Sequence, residues 1–254
     1  MIWALLITML IKMIAGPEQL FTVPKLEKEI KTHISDKERK KELLSIVKTA
    51  KKEIKAFNKE TDKAKKKLKK LTNSRDDELD EIKTLFDVNF ESRKKFQKSM
   101  VDKRLEMQSL MTDEEWKNVI ENAVSPTGKI ERKADKEDDK FDKQVDKLME
   151  DINKSIQKKV MDSLRKEHVV VAFNNYNEAL KTHIEEGLSI SYENNEVARK
   201  RTATREELME IYIQQNELRN VVYNEFLELY KTILAFTTKN ERRAIRSELK
   251  KMFD

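Results

Sequence analysis

Three glycines and three prolines in 254 residues leave this chain few means of turning sharply. Glycine supplies positive φ and proline presets φ for tight turns, so sheets, hairpin loops and phosphate loops draw on both. A chain this poor in them has few turns, and therefore few and long elements. Charged residues make up 39% and hydrophobic residues 38%, a mixture that reads as long amphipathic helices. Disorder is the competing reading of so charged a chain, and the regular spacing of Leu, Ile, Val and Phe opposes it. The expected fold class is all-α: an N-terminal membrane helix, then a long antiparallel helical hairpin and coiled-coil bundle.

The same scarcity removes whole classes of chemistry. Gly16, Gly128 and Gly187 stand alone, so Walker A, the dinucleotide fingerprint and the nucleophile elbow are absent. No cysteine occurs, which excludes disulfides, zinc–thiolate sites, Fe–S clusters and cysteine nucleophiles. The histidines are His33, His168 and His183; no HExxH occurs, and none follows a Glu by three residues as in di-iron bundles. His183-x-x-Glu186 puts two ligand types on one helix face, but a packed or exposed histidine is its ordinary role. The expectation is a non-enzyme without cofactor or metal.

Residues 1–24 form the first segment. Ile2, Trp3, Leu5, Leu6, Ile7, Leu10, Ile11 and Ile14 make an apolar run ended by Gly16-Pro17. A spanning helix needs about 17 apolar residues at the least, and this run is near that limit. Lys12 near its end can snorkel to headgroups, and Trp3 suits the opposite interface. A cleaved signal peptide is the second reading; it lacks a basic n-region, and Pro17 after Ala15-Gly16 is a poor cleavage context. A helix packed on a partner protein is the third. Nothing basic precedes the run, whereas Lys25, Lys28, Lys31, Lys37, Arg39, Lys40 and Lys41 follow it. The positive-inside rule therefore places the N-terminus outside and the helical region in the cytoplasm, single-pass.

Net charge is +6, and its distribution is uneven: residues 25–72 carry 18 Lys/Arg against 8 Asp/Glu. Lys25, Lys28 and Lys31 are placed to meet anionic headgroups, each contributing about 1 kcal/mol within a Debye length of about 8 Å. Nucleic-acid binding is disfavoured, because no RNP, zinc-finger or helix-turn-helix pattern accompanies the charge.

Residues 25–125 read as a helical hairpin. One helix is expected from after Pro24 to Thr72, roughly 70 Å at 1.5 Å per residue. Leu43, Val47, Ala50, Ile54, Phe57, Ala64, Leu68 and Leu71, with Thr61 filling one slot, step by 4 and 3 alternately. That is a coiled-coil seam, able to pair within the chain or with another copy. After a break at Asn73-Ser74, Leu79, Ile82, Phe86, Phe90, Met100 and Leu110 continue an apolar face. Thr112-x-x-Glu115 is a capping box ahead of Trp116, Val119 and Ile120.

Ser125-Pro126-Thr127-Gly128 is the linker, and residues 129–254 form a second helical bundle segment. There Ile152, Ile156 and Val160 restore a helical face. Residues 169–173 (VVVAF) suit a strand by composition, but the onward spacing Tyr176, Leu180, Ile184, Leu188 favours helix. Gly187 is expected at that helix's C-terminus, with a short extended piece after it. Thr204-x-x-Glu207 opens another amphipathic helix, through Leu208, Ile211, Val222 and Leu229, broken at Thr237 to Asn240. No repeat of 20–50 residues is present.

The reading these features support is a membrane-tethered, non-catalytic structural or assembly subunit. Its expected partners are the membrane, proteins of an integral membrane complex, and another copy of the chain. One short element resembles a known family: Met111-Thr112-Asp113-Glu114-Glu115-Trp116 is similar to the LTxxQ element of Spy-like helical chaperones, with Glu115 where that element has Gln, and it occurs once. The resemblance implies the alternative of an exported periplasmic helical binding or sensor protein. Nucleic-acid binding by a helical protein is the third option.

Overall fold

The computed structural model describes residues 18–72, 78–124, 147 and 149–244. All regular structure among them is helical, as composition requires: α1 (Gln19–Thr22), α2 (Leu26–His33), α3 (Lys37–Thr72), α4 (Leu79–Ser109), α5 (Asp113–Val124), α6 (149–159), α7 (Ser163–Arg199), α8 (Arg205–Phe236) and α9 (239–244). No described helix is long and apolar enough to cross a membrane. The expected anchor residues Ile2, Trp3, Leu5, Leu6, Ile7, Leu10, Ile11 and Ile14, with Lys12, lie outside the described residues.

Two expectations are corrected. The single helix over 25–72 is two helices. Ile34, fully buried, takes an extended ψ of 113° and draws the chain inward. Asp36 then starts α3 afresh, its Oδ1 accepting the Arg39 N–H at 2.8 Å. Gly187 does not end its helix, because α7 runs on through it to Arg199. A mid-helix glycine costs only about 1 kcal/mol against alanine, which a 37-residue helix anchored by Val169, Phe173, Tyr176, Leu180 and Ile184 before it and packed through Val197 after it absorbs. That anchoring also explains why VVVAF is helical: Val169 and Phe173 face the core while Val171 is exposed.

The fold is one hairpin used twice. Helix starts recur 126 residues apart: Lys37 and Ser163, Leu79 and Arg205, Asp113 and residue 239. The contacts recur with them. Arg39 pairs with both Glu115 oxygens at 2.7 and 3.0 Å and donates to the Leu110 carbonyl. Arg165 pairs with both Glu241 oxygens at 2.8 and 3.2 Å and donates to the Phe236 carbonyl. Asp162 accepts from the Arg165 N–H as Asp36 does from Arg39. The capping box Thr112/Glu115 has its counterpart in Thr238/Glu241. The Thr-x-x-Glu boxes at 112 and 238 therefore hold equivalent places in the two hairpins.

Each hairpin has a base, where these clamps sit, and a tip, where its long helices join. The hairpins lie head to tail through α4 and α8. Leu68, Ile82 and Phe86 at the first tip enter the core of the second base, formed by Ile152, Ile156, Val160, Phe173, Leu180 and Phe226. In return Ala203, Leu208 and Tyr212 at the second tip pack on Val101 of the first. The first base has its own core of Leu26, Ile30, Ile34, Val47, Met100, Met107 and Trp116. This reciprocity is the signature of a twofold interface, here within one chain.

Candidate functional site

The two hairpins meet at a polar waist between their cores. Antiparallel crossing of α4 and α8 brings Gln97 against Asn216, each amide donating to the other at 3.3 and 2.7 Å. Arg219 donates to Asn216 Oδ1 at 3.2 Å. Its counterpart 126 residues earlier is Arg93, whose guanidinium lies 5.1 Å over the Phe57 ring. Both arginines are buried, at 1% and 3% exposure. Burial, then the Arg93 charge, pulls the Arg219 guanidinium down to about 9. His183 is buried beside both, and burial followed by the two positive charges lowers it to about 4.

Glu18 closes one side. Its carboxylate accepts from the Tyr212 hydroxyl, and its backbone N–H donates back to that oxygen at 3.3 Å. Burial pushes the Glu18 carboxyl up, against the opposing pull of Tyr212, Arg219 and Arg93. A groove of about 460 Å³ lies alongside, lined by Glu18, Val23, Pro24, Ile54, Phe57 and Phe96. Phe57 and Phe96 stack there at 4.3 Å.

The chain immediately after the apolar run is part of this core. Glu18, Leu20 and Phe21 are 4%, 7% and 0% exposed. No loop therefore separates residue 18 from the helical body. Lys25, Lys28 and Lys31 are all exposed nearby on α2 and its N-cap.

The seam divides among three environments. Leu43, Val47 and Ala50 are buried in the first base, Phe57 and Thr61 are buried farther along α3, and Leu68 enters the second core; Ile54, Ala64 and Leu71 are half-buried. Its described pairing is within the chain, as Phe57 on Phe96 shows. His183 and Glu186 are not brought together, since His183 is buried and Glu186 exposed. Among the described residues no group of three or more His, Asp or Glu could hold a metal ion. Sequence reasoning missed Glu18, Arg93, Gln97, Tyr212, Asn216 and Arg219. The readable signal was the recurrence of Asp-x-x-Arg at 36–39 and 162–165 and of Arg at 93 and 219, at a spacing far above 50 residues.

No family model, curated protein or solved structure matches the chain.

Proposed function

We propose that this chain is a non-catalytic, membrane-tethered helical subunit that braces or assembles a larger complex. The observation that carries the reading is the burial of Glu18, Leu20 and Phe21 directly behind the apolar N-terminal run. A helical body whose buried part begins at Glu18, two residues after Gly16, leaves little chain for a long tether, which suits a brace rather than a swinging module. Exposed Lys25, Lys28 and Lys31 lie close behind, where anionic headgroups would reinforce attachment. Under this reading the N-terminus is outside and the helical body cytoplasmic. Its partners are proteins of an integral membrane complex or another copy of the chain, and no cofactor takes part.

The test is fractionation of native membranes. Under this reading the protein stays with the membrane through carbonate, needs mild detergent, and co-elutes with other proteins. Release by carbonate as a monodisperse, surfactant-free monomer contradicts it.

A second reading, an exported helical binding protein, is favoured by one observation. A groove of about 530 Å³ between α7 and α8 combines exposed Val171 and half-buried Ala172 and Phe236 with Glu167, Glu225 and Glu228. N-terminal sequencing of native protein separates the two: a start near residue 17 supports export.

A further inference from the structure

Where equivalent helices cross antiparallel about a twofold axis, the residue on the axis meets its own counterpart. In α4 and α8 the pairing Gln97 with Asn216, and Phe86 with both Tyr223 and Phe226, places that axis at Arg93 and Arg219. The duplication thus forces two cations together in the interior. Like charges in a low-dielectric setting need a counter-charge. Glu18 is the only buried carboxylate among the described residues; the Tyr212 hydroxyl occupies its Oε2, its Oε1 has no hydrogen-bond partner there, and a single carboxylate offsets at most one of the two guanidinium charges. Arg93 Nη2 has no hydrogen-bond partner among the described residues, nor has either ring nitrogen of His183. Arg93 Nη2 and the single N–H of the neutral His183 ring are thus buried donors, the ring feels both guanidinium charges, and a groove opens alongside at Phe57 and Glu18.

We propose that the waist is a binding site for one compact inorganic anion, a halide or a tetrahedral oxyanion, held between Arg93 and Arg219 with a His183 N–H as a further donor. Guanidinium forks suit this ligand class, because their parallel N–H groups address an anion's lone pairs. The anion completes the interface between the two hairpins, so its binding is read as stability of the whole fold.

The experiment is thermal unfolding of the full chain at pH 7 and constant ionic strength. Sodium gluconate, whose bulky anion does not fit, is replaced stepwise by sodium chloride or by sodium phosphate. The expected result is a saturable rise in Tm of about 4–8 °C with at least one of the two. A rise with chloride alone identifies a halide site, and with phosphate alone an oxyanion site. Arg93→Met is expected to melt above the parent in gluconate, since the like-charge contact is gone, and to gain nothing from either anion. Arg93→Gln serves the same purpose if Arg93→Met does not fold. The proposal is overturned if neither anion raises Tm. It is equally overturned if the variant gains as much as the parent, which would assign the effect to surface lysines.

Discussion

The two hairpins are alike at their bases and unlike at their middles. At the bases the same device appears twice: an Asp-capped arginine grips the capping-box glutamate of a following short helix and the last carbonyls of the helix before it. At the waist Phe57 in the first copy stands where the second has His183, and Gln97 where it has Tyr223. The difference teaches which contacts define the hairpin. Clamp and cap fix how a short helix closes the base, so both copies need them. The waist is a single shared space with two unlike walls, and its residues can specialise.

The largest test of equivalence is in the cores. Phe226 and Met100 occupy matching fully buried positions, one in each base. Phe226→Ala is expected to cost about 4 kcal/mol and Met100→Ala about 3 kcal/mol in urea unfolding. A negligible cost for one alone would break the correspondence.

The waist difference predicts a pH effect. His183 is held near 4 in the folded chain against an ordinary value of 6.5. The unfolded state therefore binds more protons between those values. Stability falls as pH drops through that window, by roughly 3 kcal/mol in all, and the slope from this group ends below it. His183→Phe, which copies the first hairpin, should flatten the profile of unfolding free energy against pH in gluconate buffer. An unchanged slope would place the titration elsewhere.

A smaller effect is expected at the clamps. Hydrogen bonding by the Thr238 N–H, then by Arg165, holds Glu241 down at about 2. The side chain of Arg39, followed by the Thr112 N–H, lowers Glu115 in the same way. A carboxylate with a depressed value contributes stability fully above its unfolded value near 4.5 and loses it as pH falls through the folded one. Glu115→Gln and Glu241→Gln should each lower Tm at pH 7 and each reduce acid sensitivity below that point. A change in only one would show unlike bases. Smallest are the caps: Thr112→Ala and Thr238→Ala should each cost about 1 kcal/mol by chemical denaturation.

Much of this fold was legible from the chain. Gly and Pro scarcity indicated long helices, the Leu43-to-Leu71 seam marked a buried face, and Thr112 and Thr204 marked helix starts. The break at Ile34 was missed because no Gly or Pro marks it; it comes from burial of Ile34 together with the new helix start capped by Asp36. Nor was Gly187's place inside α7, where tertiary packing overrides local preference. The waist was hidden because Arg93, Gln97, Asn216 and Arg219 are polar residues standing in register with the apolar faces of their helices, and their type argued for solvent. The partners that make their burial tolerable come from the crossing of two hairpins, which one helix alone does not reveal.

That the chain is one hairpin used twice is tested most directly by distances between spin labels, and the absence of cysteine makes paired labelling clean. Labels at Lys52 and Lys98 report the first hairpin, and labels at Glu178 and Asn224 the equivalent exposed positions of the second. The account predicts narrow distance distributions with nearly the same mean for both pairs. Means that differ by more than the reach of the label, or a broad distribution for one pair alone, would contradict it.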